Sequence, residues 1–265
     1  MKVEIVRNKK ELFDFLQKEA GLQIYLTGDL DKFFWPKTIW YALKEKDSIK
    51  SVALLYTASN PPTLLCFQRQ EAEFAHRMLD EIRHLLPPRF YAHLGEGFIE
   101  AFGRQNMLEH FGLNYKMVLH NKVSDPGDVN IRRLKVEDLP EVKELYSVAY
   151  PNNWFDSRML ESGKYFGYFI KGGIVGVAGI HVYSAKYKVA ALGNIATLPA
   201  FRNQKIGYKL TAALCHDLQH SVNFIGLNVR SDNEHAIRLY KRLGFRIEGT
   251  YEECLMKNLP EQALF

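Results

Sequence analysis

The feature that most constrains the fold is a stretch near the carboxyl terminus in which two apolar strands alternate with two amphipathic helices. Residues 190–197 are apolar or small without a helical period, and Pro199 ends the run, so we predict a largely buried strand. A short polar, basic loop follows. After it, apolar residues at i, i+4, i+7 and i+8 predict a helix: Ile206, Leu210, Ala213 and Leu214.

This strand, loop and helix suit a bound phosphate. The first-turn N–H groups of a helix lack intrahelical partners and lie at the positive end of its dipole. Gly207 falls in that first turn, where a glycine lets the backbone approach a phosphate closely. The alternative is an ordinary strand-to-helix turn with solvated basic side chains, and this segment alone does not separate the two.

A second strand and helix follow at residues 223–245. Residues 223–229 have the composition of a strand, and Ser231 and Glu234 have capping-box spacing, with Asn233 as a competing N-cap. Gly244 closes the helix. The spacing places Tyr240 on or beside its buried face, where core packing is the alternative to a chemical role. The residues on that face are Ala236, Leu239, Tyr240 and Leu243.

The two motifs together, RNQKIG at 202–207 and N-x-x-A-x-x-x-Y-x-x-x-G-F at 233–245, resemble the acetyl-CoA-binding core of the GCN5-related N-acetyltransferases (GNAT). The resemblance covers about residues 130–259. It implies an α/β fold with a mixed sheet, and an N-acetyltransferase that moves the acetyl group of acetyl-CoA to a primary amine by direct attack in a ternary complex. The alternatives are an acyl-CoA-binding or sensor protein without catalysis and a transferase of a larger acyl group.

The resemblance also implies roles for individual residues. The backbone of Ile195, Ala196 and Thr197 would pair with the pantetheine arm, and Tyr240 would protonate the departing thiolate. Asn228 would contact the cofactor, and Asn233 would orient it or cap the last helix. The pyrophosphate would lie on the loop residues Arg202, Asn203, Gln204, Lys205, Ile206, Gly207 and Tyr208.

Lys205 stands where the family usually has the first glycine of the loop. If that position needs a positive φ, a lysine there costs about 1 kcal/mol relative to glycine. Its ammonium group can offset this cost by reaching a phosphate.

The general base and the acceptor site are less marked. Strand 189–197 has no carboxylate, so we name His181 as a candidate base, with a structural role as its alternative; Glu252 or Glu253 acting through water is a second option. Trp154 and Phe155 are candidates for the acceptor site, and interdomain packing is their alternative.

The 265 residues are enough for two domains. The order of elements in the first half parallels that of the second, which predicts a degenerate GNAT-like domain at 1–122, a linker at 123–129 and the N-acetyltransferase domain at 130–265. The turn after predicted strand 63–67, with the sequence QRQE, has no glycine and no basic loop. We therefore predict that the first copy does not bind CoA.

Composition limits the location of the protein and the kinds of partner that it is expected to bind. No apolar run approaches membrane-spanning length and no signal peptide is evident, so a cytoplasmic protein without a membrane partner is expected. The net charge of +5 is dispersed, and no nucleic-acid partner is expected. The expected partner is a small-molecule or protein amine, and the protein is expected to be a monomer or homodimer.

Metal and dinucleotide sites are not expected. The three cysteines have no metal-ligand spacing, and His216 and His220, although one turn apart, fit a solvated helix face better than a zinc site. Gly173, Gly176 and Gly179 imitate a dinucleotide fingerprint, but no helix follows them.

Overall fold

A computed structural model describes residues 1–151 and 153–258. Its strands are β1 (Lys2–Ile5), β2 (Thr38–Glu45), β3 (Ser48–Tyr56), β4 (Thr63–Cys66), β5 (Arg89–Gly95), β6 (Met107–Leu119), β7 (Ile131–Arg133), β8 (Phe166–Ile170), β9 (Gly173–Ser184), β10 (Val189–Thr197), β11 (Phe224–Arg230) and β12 (Phe245–Lys257). Its α-helices are α1 (Lys9–Leu16), α2 (Ile24–Asp29), α3 (Ala72–Ile82), α4 (Leu139–Ala149), α5 (Ile206–Leu218) and α6 (Glu234–Leu243). No helix in this part of the chain is both long and apolar enough to cross a membrane.

The described chain divides into two compact units. Unit 1 consists of Met1–Lys116, Val229–Asp232 and the described residues from Ile247 onward, and unit 2 consists of Met117–Asn228 and Asn233–Arg246. The carboxyl-terminal strand therefore groups with the amino-terminal segment. The division at residues 123–129 remains a prediction about domains, and residues 259–265 of the predicted second domain lie outside the described residues.

Unit 1 is a sheet in the order β1-β2-β3-β4-β5-β12-β6. Strands β4 and β5 are parallel, and β12 runs antiparallel to β5 from the pair Tyr251–Gly95 to the pair Lys257–Arg89. Helix α3 covers the core, because its apolar residues repeat every three or four positions and form one buried face: Ala75, Met78, Leu79 and Ile82.

Unit 2 is a sheet in the order β11-β10-β9-β8-β7, in which only β10 and β11 are parallel. Helix α5 packs closely because β9 has a glycine beneath it. A Cβ atom at Gly176 would lie 2.9 Å from Ile206 and 3.0 Å from Leu210. A Cβ atom at Gly179 would overlap the ring of Tyr165. These glycines thus admit neighbouring side chains within a strand and form no nucleotide-binding loop.

The predicted α/β fold with a mixed sheet is confirmed. The polar run 44–50 and the segment 171–173, each between two apolar stretches, predict hairpins, and the structure has both of them, β2–β3 and β8–β9. The first hairpin is tighter than the polar run 44–50 indicated, since the strands are separated only by Lys46, at φ +55°, and Asp47. The sequence predicts a strand at 115–120, whereas strand β6 begins at Met107. Residues 107–113 include no buried side chain and so lack the apolar pattern of a strand.

Candidate functional site

The parallel strands β10 and β11 separate part of the way along their length. Their pairing runs from Val189–Phe224 to Leu192–Leu227 and ends there, whereas β10 remains paired with β9 up to Thr197. One backbone edge of residues 193–197 is therefore not hydrogen-bonded to β11. Asn228, the next residue of β11, lies at the start of this opening. An extended ligand can hydrogen-bond to such an edge as an added strand would.

The loop from β10 to α5 has the backbone geometry of an anion site. Asn203 and Lys205 both adopt left-handed conformations, at φ +62° and +61°, on either side of Gln204. Among the described residues, no acceptor pairs with the backbone N–H groups of residues 203–208, and no side chain caps α5. Successive N–H groups arranged in this way form a concave nest that favours an anion, to which the dipole of α5 adds.

Side chains of the same loop are exposed to solvent from Arg202 to Lys205. The guanidinium of Arg202 donates a hydrogen bond from Nε to the carbonyl of Thr197, at 3.3 Å. Gly207 is not required by protein packing, because a Cβ atom there would meet Leu239 at 3.6 Å, an ordinary contact. The condition stated for Lys205 is met, because its φ is +61°, and the lysine therefore carries the cost of a left-handed conformation.

Helix α6 lies against the first turn of α5. Leu239 is the nearest side chain to the Cβ position of Gly207, and the Arg242 guanidinium lies 5.1 Å from the ring centroid of Tyr208. Asn233 is the N-cap of α6, since its Oδ1 accepts a hydrogen bond from the N–H of Ala236 at 3.1 Å. Of the two roles considered for Asn233, capping of the last helix is the one seen in this structure.

Tyr240 lies on α6, partly exposed, with its ring packed edge-on against Phe245 at 5.8 Å. Burial raises the pKa of the Tyr240 phenol, and Tyr150 and Cys215 raise it further. The hydroxyl group is therefore protonated at neutral pH, and no described residue hydrogen-bonds to it. This phenol can donate a proton to a group that approaches it.

His181 and Asn194 meet because each occupies a β-bulge. Val182 pairs with Ala191 and Ile180 with Leu192, so His181 is the additional residue of β9. Between Gly193 and Ala196, β10 has one residue more than β9, and Asn194 there has φ +53°. The His181 Nε2 atom lies 3.3 Å from Asn194 Oδ1. A bulge re-aims a side chain out of the regular alternation of a strand.

The Asn194 side chain is the centre of a buried polar network. Its Nδ2 donates hydrogen bonds to the carbonyl of Trp154, at 3.1 Å, and to the hydroxyl of Tyr165, at 3.0 Å. Tyr165 in turn donates to the carbonyl of Ile180, at 2.7 Å. The Tyr146 hydroxyl donates to the backbone carbonyl of Asn194, also at 2.7 Å. These bonds hold the bulge of β10 in place.

The predicted acceptor-site residues differ in their surroundings. Trp154 is 47% exposed, and its ring lies edge-on to the His181 ring at 5.7 Å. Phe155 is partly buried and packs against two buried tyrosines of unit 2, Tyr146 and Tyr165, at 5.1 and 5.7 Å. Trp154 is therefore the better placed of the two to meet a ligand beside His181.

Glu252 and Glu253 are engaged in unit 1. Both carboxylate oxygens of Glu252 accept hydrogen bonds from the Arg104 guanidinium, at 3.1 and 3.2 Å. Glu253 accepts a hydrogen bond from Asn114 at 3.2 Å and lies 3.1 Å from His93. The remaining predicted residues, by contrast, are all placed within unit 2.

One group of described residues has its potential metal ligands close together: His110, Glu252 and Cys254, with ligand atoms within 4.8 Å of one another. A cation there would compete with Arg104 for Glu252, and burial raises the pKa of the Cys254 thiol to about 11. A metal ion here would therefore have to displace both the Arg104 guanidinium from Glu252 and the proton from the Cys254 thiol.

Three functional candidates were missed by the sequence reasoning: Tyr146, Tyr165 and Asn194. The first two follow the apolar pattern of ordinary core residues. Asn194 left a signal, because a polar residue directly after Gly193 interrupts an otherwise apolar strand, which is a mark of a bulge.

Comparisons with known proteins agree with this geometry. Residues 129–245 match the model of the acetyltransferase (GNAT) family. A tandem GNAT protein from the clavulanic acid biosynthesis pathway is 15% identical and has a TM-score of 0.59, with 98% of this chain and all of that one covered. No curated protein sequence matches the chain.

Two other solved structures share the fold over nearly the whole chain. A Drosophila protein is 13% identical, with a TM-score of 0.71 over 96% of this chain and 98% of that one. A GCN5-related N-acetyltransferase from Sphaerobacter thermophilus is 11% identical, with a TM-score of 0.62 over 98% and 96%. The chain therefore has the GNAT fold, and its residues 129–245 are the part that matches the acetyltransferase (GNAT) family model.

Proposed function

We propose that this protein is an N-acetyltransferase that moves the acetyl group of acetyl-CoA to a primary amine by direct attack within a ternary complex. Two features together support this most. The edge of β10 is open beyond Leu192, and the N–H nest of residues 203–208 follows it along the chain. An extended polar chain that ends in a pyrophosphate fits these two features in that order.

The residues that would hold acetyl-CoA are those predicted from the sequence. Backbone groups of Ile195, Ala196 and Thr197 would hydrogen-bond to the pantetheine arm, and Asn228 lies across the opening. Residues 202–208 would bind the pyrophosphate through their N–H groups, with Lys205 adding a charge. Acetyl-CoA supplies an activated thioester to this site.

The chain's own residues would supply the proton transfers. As the amine nitrogen bonds to the carbonyl carbon and the carbon–sulfur bond breaks, His181 would accept the proton that leaves the amine. Tyr240 would give its phenolic proton to the sulfur. A backbone N–H in the segment 195–197 would donate to the carbonyl oxygen while negative charge develops there.

His181 suits the role of a proton acceptor in its resting state. Burial lowers its pKa to about 4, and the hydrogen bond with Asn194 opposes this only in part. The imidazole is therefore neutral at pH 7, so one ring nitrogen carries a lone pair. The same burial opposes the charged imidazolium, so the proton would have to be transferred as the amine attacks. No carboxylate competes with it on β9 or β10.

The test is a calorimetric titration of the purified protein with acetyl-CoA, free CoA and a longer acyl-CoA, followed by assays of CoA release with a panel of small amines and amine-bearing peptides. Saturable binding of acetyl-CoA together with turnover on an amine is the expected result. Binding without turnover on any amine would contradict the enzymatic proposal.

A second candidate is an acyl-CoA-binding or sensor protein without catalysis, or a transferase of a larger acyl group. The strained Lys205 favours the first of these, because it replaces the glycine usual in the family's phosphate loop. A marked preference of binding for the longer acyl-CoA would favour the last. The proposed partner is an amine-bearing small molecule or protein. Size-exclusion chromatography separates the monomer from the homodimer.

A further inference from the structure

The orientation of the Asn194 amide is set by a neighbour that can only accept hydrogen bonds. The carbonyl oxygen of Trp154 lies 3.1 Å from Nδ2 of Asn194. A flipped amide would place Oδ1 against this carbonyl, so that two acceptors would face each other. Because Tyr165 already donates to Ile180, its hydroxyl accepts from the same Nδ2. Both contacts direct Oδ1 toward His181.

This orientation fixes the tautomer of His181. Since Oδ1 of Asn194 only accepts, the Nε2 atom facing it at 3.3 Å must carry the hydrogen. In a neutral imidazole the lone pair is then on Nδ1. The ring edge with Cγ, Cδ2 and Nε2 lies over Gly193, where a Cβ atom would come within 2.3–2.4 Å of these three atoms. The Nδ1 atom therefore lies on the edge that points away from Gly193.

We propose that Asn194 is a positioning residue that holds His181 as the Nε2–H tautomer and so presents Nδ1 as the atom that accepts the proton of the attacking amine. This inference rests on the proposed acetyl transfer. Asn194 itself touches no reacting atom in this scheme. Both bulges are needed for this contact. Without them, the side chains of His181 and Asn194 would follow the regular alternation of their strands.

The titratable groups beside this pair are phenols. Burial raises the pKa of Tyr146 and of Tyr165, so both are neutral at pH 7. The charge of Asp156 also raises the pKa of Tyr165, and Asp156 forms an ion pair with Arg158. Trp154, whose ring contacts that of His181, does not titrate. The tautomer therefore depends on hydrogen bonding and not on a fixed charge.

The test is long-range proton–nitrogen correlation spectroscopy of the full chain labelled with ¹⁵N-histidine, with the His181 signals assigned by their loss in His181→Gln. At pH 7 we expect a protonated Nε2 and a bare Nδ1. In Asn194→Gly, which accepts φ +53° without strain, we expect a mixture of both tautomers. A wild-type protein with its proton on Nδ1, or an unchanged pattern in Asn194→Gly, would overturn the inference.

Two further variants sharpen the test. Tyr165→Phe removes one partner of the amide but leaves the Trp154 carbonyl in place, so His181 should keep its Nε2–H tautomer. Asn194→Asp introduces a carboxylate at nearly constant shape, which should raise the pKa of His181 by about 1–3 pH units in the same spectra. An unchanged His181 pKa in Asn194→Asp would count against the contact itself.

Kinetics separate this inference from the proposed function. Asn194→Gly should lower kcat by about tenfold or more, and shift the pH–rate profile, with the KM for acetyl-CoA unchanged. If the wild-type protein transfers acetyl to no amine, the proposed function fails, whereas the spectra still decide the tautomer. If transfer occurs but kcat is the same in Asn194→Gly, the positioning role is wrong.

Discussion

Glu71 and Lys205 share the same unusual backbone conformation at the same point of two different helices. Glu71 has φ +53° directly before α3, and Lys205 has φ +61° directly before α5. Each helix follows the strand that starts a parallel pair, β4 or β10. The two units thus have strand-to-helix connections of the same type. This similarity supports the interpretation of the first half as a second, degenerate copy of the GNAT fold.

The two connections differ in what faces their N–H groups. In unit 1 the Glu19 carboxylate accepts hydrogen bonds from the N–H groups of Arg69, at 3.1 Å, and of Gln70, at 3.2 Å. In unit 2 the N–H groups of residues 203–208 have no such acceptor among the described residues. An internal carboxylate therefore occupies in unit 1 the kind of position that a phosphate would take in unit 2.

Replacing Lys205 with glycine tests the strain in the second connection. We expect Lys205→Gly to raise the free energy of unfolding by about 1 kcal/mol, because a left-handed conformation costs a non-glycine residue about that much. The Tm should rise by about 2–4 °C. Acetyl-CoA should bind more weakly and with a smaller dependence on salt, because the ammonium is lost. Thermal unfolding and calorimetry at two salt concentrations measure both effects.

Glu71→Gly is the matched control. It relieves the same backbone strain in unit 1, so we expect a similar gain in Tm with no change in the affinity for acetyl-CoA. Equal loss of affinity in both variants would show that Lys205 contributes no specific charge.

Replacing Glu19 tests the internal anion. Glu19→Gln should lower the free energy of unfolding by about 1–3 kcal/mol, since hydrogen bonds from two N–H groups to a charged acceptor are lost or weakened. Glu73→Gln is the control, because Glu73 is exposed in the first turn of α3 and should change stability by less than about 0.5 kcal/mol.

The same titrations test whether the first copy binds CoA. The wild-type chain should bind one acetyl-CoA, because Glu19 takes the N–H groups that a phosphate would need. A stoichiometry of two, or density for CoA at residues 68–71 in a soaked crystal, would refute that prediction.

The elements around the site were predictable because each has a local signal. The apolar period of α5, the cap and closing glycine of α6 and the strand character of β10 all lie within about a dozen residues of sequence. The exposed loop between β10 and α5 was predictable from its polar and basic residues, while its binding of a phosphate remains a prediction. The cost of a lysine at position 205 was also stated from the sequence, because the family usually has a glycine there.

The geometry at His181 was not predictable, because a bulge depends on the register between two strands and not on either strand alone. The contact of Glu19 with Arg69 and Gln70 joins positions about fifty residues apart, so no local sequence pattern predicts it. The placement of β12 beside β5 is likewise a matter of chain topology. These long-range relations decide which polar groups meet.

Tyr240→Phe tests the proposed acid. We expect turnover to fall by about 100-fold or more, because the departing thiolate loses its proton donor, while acetyl-CoA binding and Tm stay unchanged. The unchanged Tm follows from the absence of any hydrogen bond from this hydroxyl within the described chain. Stopped-flow release of CoA and calorimetry make the comparison. Unaltered turnover would remove Tyr240 from the mechanism.

His181 should leave a signature in the pH dependence of stability. In the unfolded chain its pKa is near 6.5, and in the folded protein burial lowers it to about 4. Between these values the unfolded state binds the additional proton, so the free energy of unfolding should fall as the pH decreases from 6.5 to 4, by up to about 3 kcal/mol. Above pH 6.5 the residue contributes no slope.

Urea unfolding at pH 5 and pH 7 measures this slope. His181→Gln should reduce the difference between the two conditions, because glutamine does not titrate. His235→Gln, at an exposed position on α6, should leave the difference as it is in the wild-type protein. Equal slopes in all three proteins would mean that the pKa of His181 is not lowered in the folded state, which would contradict the burial of the imidazole on which this prediction depends.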